Sequence, residues 1–208
     1  WPLERAVAQS PKASATPVAN NRAELSYALG YEAGLDLGRR RPDVDISTVL
    51  RGVQDGYSRK KPEYSPQVMQ QVIQAMQQQM IAEAREFFAD NKKKQGVVTL
   101  PSGVQYKVLD GGSADKSPTM DSDVTLQYRG EFLDGTIFDN TEDRGKPVVF
   151  PVNQMIPGWR EIITRMHVGD HWKVFIPPDQ AYGIRGEPPR IGPNEALVFD
   201  IHLLGVKP

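Results

Sequence analysis

Ile46, Val49, Leu50, Val53 and Tyr57 recur at i, i+3, i+4, i+7 and i+11, the spacing that lines one face of an α-helix. Asp45, just before the stripe, is a suitable N-cap. Upstream, LSYALGYEAGLDLGRR places Leu25 and Leu29 on one face, and Asn21 and Glu24 are spaced close to a capping box. RRRPD (39–43) breaks the first helix before the second begins. Gly30, Gly34 and Gly38 follow at four-residue steps. Each glycine costs a helix up to about 1 kcal/mol against alanine. Three in a line point to close approach by another helix, either within the subunit or across a dimer contact.

Ser65 and Pro66 open a third helix, with serine at the N-cap and proline at the first helical position. Its stripe is Val68, Val72, Met76, Met80, Ala84 and Phe87/Phe88. The lysines of NKKKQG suit the carboxyl end of the dipole, and Gly96 offers a stop. The pattern predicts a helix over 66–94, about 43 Å long at 1.5 Å per residue. Its early part is expected to pack on the two preceding helices and its later part to bridge to the next domain. The large apolar residues of this half make a thin core for one chain. The reading is therefore a dimer through residues 21–80.

From about residue 97 the period becomes two. GVQYKVLD (103–110) alternates Val104, Tyr106 and Val108 with polar residues, and DVTLQYRGEFL (123–133) does so with Val124, Leu126 and Tyr128. KPVVFPV (146–152), HWKVFIP (171–177) and ALVFDIHLLGV (196–206) are further strands, and PGWREIITRM (157–166) is a short helix. Five strands and one helix predict an α+β domain whose antiparallel β-sheet wraps the helix. The organisation read from these periods is an arm over 1–20, a helical dimerisation domain over 21–64, a long connecting helix over 65–95 and an α+β domain over 96–208. The first segment, rich in Ala, Pro and Ser, reads as a flexible arm or an expression remnant. The chain begins with Trp1, which leaves room for an upstream segment such as a signal peptide.

Composition narrows the chemistry. Apolar residues are 39% and charged residues 25% of the 208, which suits a packed core. Lys plus Arg is 25 against 26 for Asp plus Glu, so no basic footprint for nucleic acid appears. There are no cysteines, which excludes disulfides, thiol nucleophiles and Cys–zinc sites. His167, His171 and His202 have no HExxH-type spacing, and neither a metal nor a cofactor is expected. Ser102, Ser113 and Ser117 lie in polar loops outside any GxSxG motif. No phosphate-cradling glycine motif occurs.

DGTIFDN (134–140) sets the carboxylate of Asp139 directly beside Phe138. A nucleophile, a metal ligand and a structural ion pair all remain open for it. Glu142 and Asp143, interleaved with Arg144 and Lys146, read as a solvated charge cluster. Ten aromatic residues fall between 104 and 199, more than one small domain readily buries, so some are free to line a pocket.

VTLQYRGEFLDGTIFDNTEDRGKPVVF, MIPGWREIITRMHVGDHWKVFIPPDQAYG and IGPNEALVFDIHLLGV resemble the FKBP-type peptidyl-prolyl cis-trans isomerase domain in order and spacing, over about 97–207. The helical half together with GVVTLPSGVQYKVLDGG resembles the bacterial macrophage infectivity potentiator subgroup. The resemblance implies rotation of Xaa–Pro bonds in an apolar pocket. It implies Trp159 as the pocket floor, Tyr128, Phe138, Ile156 and Phe199 as walls, and Met155 at an aliphatic wall position. It further implies Tyr182 and the Ile156 N–H as donors to substrate carbonyls, and Asp139 as a polar wall residue held by Tyr128 and Arg144. Tyr128, Asp139 and Tyr182 are thus the catalytic set. Val148 stands where the family often has Phe, which loosens one wall. Glu187 and Arg190 stand where other members have neutral or apolar residues, which bears on macrolide ligands such as rapamycin. The implied partners are proline-containing polypeptides and a second copy of the chain. The implied location is the periplasm, outer membrane or exterior of a Gram-negative bacterium. Alternatives are a proline-segment binding module or a holdase with little turnover.

Overall fold

The computed structural model describes residues 21–39, 44–112, 116–188 and 190–207. The arm over 1–20, the break at 40–43 and Ser113 lie outside the described residues. Helix α1 spans Arg22–Arg39, α2 Ile46–Tyr57 and α3 Pro66–Asn91. Their starts follow the capping chemistry of the sequence. Asp45 accepts from the Thr48 N–H at 2.8 Å, and Ser65 Oγ accepts from the Val68 N–H at 3.3 Å with Pro66 at the first helical position. The α3 helix stops at Asn91, before the lysines, which fall in the turn beyond it. Gly96, with φ 81°, serves the turn into the first strand and not the helix end.

The apolar stripes of α1 and α2 and of the early turns of α3 remain largely exposed in the single chain. Leu50 and Val53 are each 62% accessible, and Val68, Val72 and Met76 are also exposed. Among the described residues, early α3 is therefore not buried against the first two helices as expected. Gly30, Gly34 and Gly38 have no neighbour within 4 Å of a built Cβ. The later part of α3 docks on the sheet. Buried Asn91 donates to Gln105 Oε1 at 2.9 Å, Gln105 donates to the Phe88 carbonyl at 2.9 Å, and Phe87 lies 5.8 Å from Phe175. The buried amides Asn91 and Gln105 pair with each other, which removes the cost of burying either alone.

The carboxyl-terminal half is one antiparallel sheet of seven strands: β1 (Val97–Thr99), β2 (Gln105–Asp110), β3 (Asp123–Phe132), β4 (Ile137–Asn140), β5 (Val148–Pro151), β6 (His171–Ile176) and β7 (Leu197–Lys207). Their order is β1-β2-β6-β7-β3, with β4 and β5 sharing the outer edge of β3. The two strands beyond the five read from periodicity are β1 and β4, only three and four residues long. A period of two is not measurable over so short a run.

Helix α4 (Pro157–Ile163) lies across the sheet. Val124, Leu126, Tyr128, Gly130 and Phe132 of β3 alternate inward, as do Leu197, Phe199, Ile201 and Leu203 of β7. They meet Trp159, Ile162 and Ile163 of α4 in one core. Full burial of an aliphatic side chain such as Ile162 contributes roughly 1.5–3 kcal/mol.

Candidate active site

Between α4, β4 and the loop 183–191 the sheet leaves a cavity of 510 Å³. Its inner surface is aromatic. Trp159 stands nearly perpendicular to both Tyr128 (centroids 5.0 Å, 89°) and Phe199 (5.0 Å, 86°), and Phe138 meets Phe199 edge-on at 5.6 Å. Edge-to-face contacts place ring edges against ring faces, so each ring restrains its neighbours. Tyr128, Trp159 and Phe199 are buried, while Phe138, Met155, Ile156 and Tyr182 are half-buried around the mouth.

The neighbours Phe138 and Asp139 both line this cavity. In a regular strand adjacent side chains point to opposite faces. A bulge resolves the conflict. Gly130 pairs with Asp139 and Glu131 with Ile137, which leaves Phe138 as the extra residue on β4. The bulge re-aims one side chain, so apolar ring and carboxylate share the same wall. Thr141 then locks β4 in register. Its hydroxyl accepts from the Tyr128 N–H (3.0 Å) and donates to the Tyr128 carbonyl (3.1 Å).

Asp139 is held at both oxygens. The Tyr128 hydroxyl donates to Oδ2 at 2.6 Å, and Arg144 donates to Oδ1. A charge-assisted bond to each oxygen leaves the carboxylate little freedom. Burial, and then the adjacent carboxylate, push the Tyr128 hydroxyl well above its ordinary pKa, so it stays a neutral donor. Burial likewise raises Tyr182, with the Glu187 charge next. The Ile156 carbonyl caps α4 through Arg160, while its N–H finds no backbone acceptor among the described residues. Glu142 and Asp143 are exposed outside the cavity.

The structure gathers Tyr128, Phe138, Asp139, Arg144, Met155, Ile156, Trp159, Tyr182 and Phe199 around one space. Val148 is not among the lining residues. It pairs with Leu126 on β5 and packs on the core. Phe150, Gln154, Ile191, Glu187 and Arg190 also line the cavity. In the sequence Phe150 is only one aromatic among many. Arg190 carries a signal there as an unexpected charge, but nothing in the sequence places it 3.8 Å from Asp139 Oδ2.

Residues 114–204 match the FKBP-type peptidyl-prolyl cis-trans isomerase family, and residues 22–108 match the domain amino terminal to FKBP-type peptidyl-prolyl isomerase. Outer membrane protein MIP of Legionella longbeachae is 39% identical over 93% of this chain and 89% of its own length. The chain belongs to the FKBP-type peptidyl-prolyl cis-trans isomerases. Peptidyl-prolyl cis-trans isomerase Mip of Coxiella burnetii is 37% identical over 93% of this isomerase and 90% of its own length. The crystal structure of FkpA from Escherichia coli superposes with a TM-score of 0.59 at 33% identity, covering 91% of this isomerase and 98% of that chain. Among the described residues no helix of the isomerase is long and apolar enough to cross a membrane.

Proposed function

We propose that the aromatic cavity is the slot in which this isomerase rotates Xaa–Pro bonds. Amide resonance sets a barrier of about 18–20 kcal/mol, and the uncatalysed step takes tens to hundreds of seconds. No bond to substrate has to form. The twisted amide has lost conjugation, and its C–O dipole is smaller than that of the planar amide. A dry cavity therefore favours the twisted form, since the more polar species loses more on leaving water. Trp159, Phe199 and Phe138 supply that dry surface. Tyr182 and the Ile156 N–H donate to substrate carbonyls and fix the ends of the dipeptide while its amide turns. Asp139 is a fixed charge beside the rotating carbonyl and needs no proton transfer to act.

The doubly bonded carboxylate of Asp139 in an aromatic wall carries this reading. It is poorly placed as a nucleophile, because both oxygens are already committed. Asp139→Asn and Tyr182→Phe each remove a charged or hydroxyl contact worth roughly 1.5 kcal/mol, so each lowers kcat/KM about tenfold. A protease-free isomerisation assay on an Xaa–Pro peptide reads this. Unchanged rates in both variants sink the assigned roles.

The helical segment over 21–64 is proposed as a dimerisation domain, α3 as its connection, and 96–208 as the catalytic domain. The exposed stripes of α1, α2 and early α3 support a second copy of the chain as their cover. The MIP relative's name supports an envelope location, where the enzyme assists folding of exported proteins. A macrolide ligand such as rapamycin fits the apolar floor, with Arg190 and Glu187 at the rim opposing tight binding.

A further inference from the structure

The loop over the slot carries charges that rotation of the amide does not require. Glu187 and Ile191 exchange backbone hydrogen bonds in both directions (2.8 and 3.0 Å), and the Arg190 N–H donates to the Glu187 carbonyl at 3.1 Å. Gly186 adopts φ 63°, and a Cβ there would stand 2.4 Å from the Ile191 carbonyl oxygen, so only glycine fits. Ile191 is buried in the core. Arg190, one residue before that anchor, is tied to Glu187 through its backbone, and its side chain lines the cavity.

The Arg190 guanidinium lies 3.8 Å from Asp139 Oδ2 and 3.7 Å from Glu187 Oε2. Both distances exceed hydrogen-bond length, so these are ion pairs without hydrogen bonds. Asp139 has already committed its oxygens to Tyr128 and Arg144. Arg144 gives its Nη2 donor to Asp139 Oδ1. Arg190 thus keeps donors of its planar fork unspent, on a side chain that lines the cavity and is 46% exposed.

We propose that Arg190 is a specificity-determining residue that receives the carboxylate of an acidic side chain flanking the substrate proline. This rests on the reading of the cavity as the Xaa–Pro slot. Glu187 is the internal competitor, since it offers the same chemistry at 3.7 Å. A substrate carboxylate with a free approach can meet the guanidinium bidentately, which Glu187 does not do. The exchange takes place at an exposed rim, so the preference is modest, about three- to fivefold.

The test uses the full chain and paired peptides differing only in Glu against Gln, placed before the proline in one pair and after it in the other. The expected result is a kcat/KM about three- to fivefold higher for the Glu member of at least one pair, expressed mainly in KM. This advantage should vanish in Arg190→Gln and in salt of about 1 M, where screening acts within about 3 Å. It should grow in Glu187→Gln, and a flat response there overturns the exchange with Glu187. Equal rates within both pairs, or an advantage that survives Arg190→Gln, overturns the proposal. A neutral Leu–Pro peptide run alongside separates the two readings. If it is not turned over, the slot reading itself fails, and not only the assignment of Arg190.

Discussion

Gly130 shows how one residue sets the shape of the slot. It sits inward on β3, where a side chain would normally fill the core. A Cβ there would lie 2.7 Å from Phe138 Cζ and 2.9 Å from Phe199 Cε1. Both rings are walls of the cavity, and each is braced edge-on by the other. Gly130→Ala therefore has no free volume to enter and displaces one of these walls. Overpacking of this kind costs about 1–3 kcal/mol. The expected outcome is a lower melting temperature together with a raised KM for Xaa–Pro peptides. A fall in melting temperature with unchanged KM would show the rings relaxing away from the slot. Nothing in QYRGEF marks this glycine in the sequence, because its role lies in the approach of two rings from other strands. The adjacency of Phe138 and Asp139 is visible in the sequence, and the β-bulge that aims both at one space is not.

At the scale of elements, local chemistry is readable where the cause is local. Asp45 and Ser65 cap α2 and α3 as their side-chain chemistry requires, and the inward rows of β3 and β7 follow their alternation. The short strands β1 and β4 escape such reading because their pairing partners, not their own pattern, make them strands. The end of α3 differs from its expected position for a similar reason. Its last turn docks through Asn91 on Gln105, a contact fourteen residues away in sequence that capping rules do not see. The α2 cap makes a testable case. Hydrogen bonds from Ser47 and Thr48 lower the Asp45 carboxyl from 3.8 to about 2 in the folded helix. The charged form is favoured on folding, so its contribution is present above pH 3.8 and is lost as pH falls through 2. Helical circular dichroism should decline between about pH 4 and pH 2, and Asp45→Ala should flatten that part of the curve while lowering helicity at neutral pH. An identical acid titration in both proteins would mean that the cap does not hold α2.

The whole molecule divides its apolar surface unevenly. The sheet and α4 bury theirs in one core, whereas α2 buries no residue at all and α1 and early α3 expose most of their stripes. Helices of this length are marginal in water without tertiary packing, and an amphipathic stripe is stabilised only when covered. A second copy of the chain offers a cover with the same pattern, and a two-fold arrangement lets each stripe meet its counterpart. The structure of the single chain supplies a clean discriminator. Leu50 and Val53 are each 62% accessible, so in a monomer their replacement by glutamate buries no charge and costs little. In a dimer the same change brings unpaired carboxylates into an apolar contact, which costs several kcal/mol for the pair of subunits. Sedimentation at micromolar concentration is therefore expected to give a dimer for the unaltered chain and a monomer for Leu50→Glu/Val53→Glu. Isomerisation of short peptides should persist in that variant, since the slot draws no residue from α2. Acceleration of refolding of a whole protein should weaken, because two slots joined by one helical platform hold an unfolded chain at a higher effective concentration than one. A monomeric unaltered chain, or a variant that remains dimeric, would place the cover of these helices elsewhere.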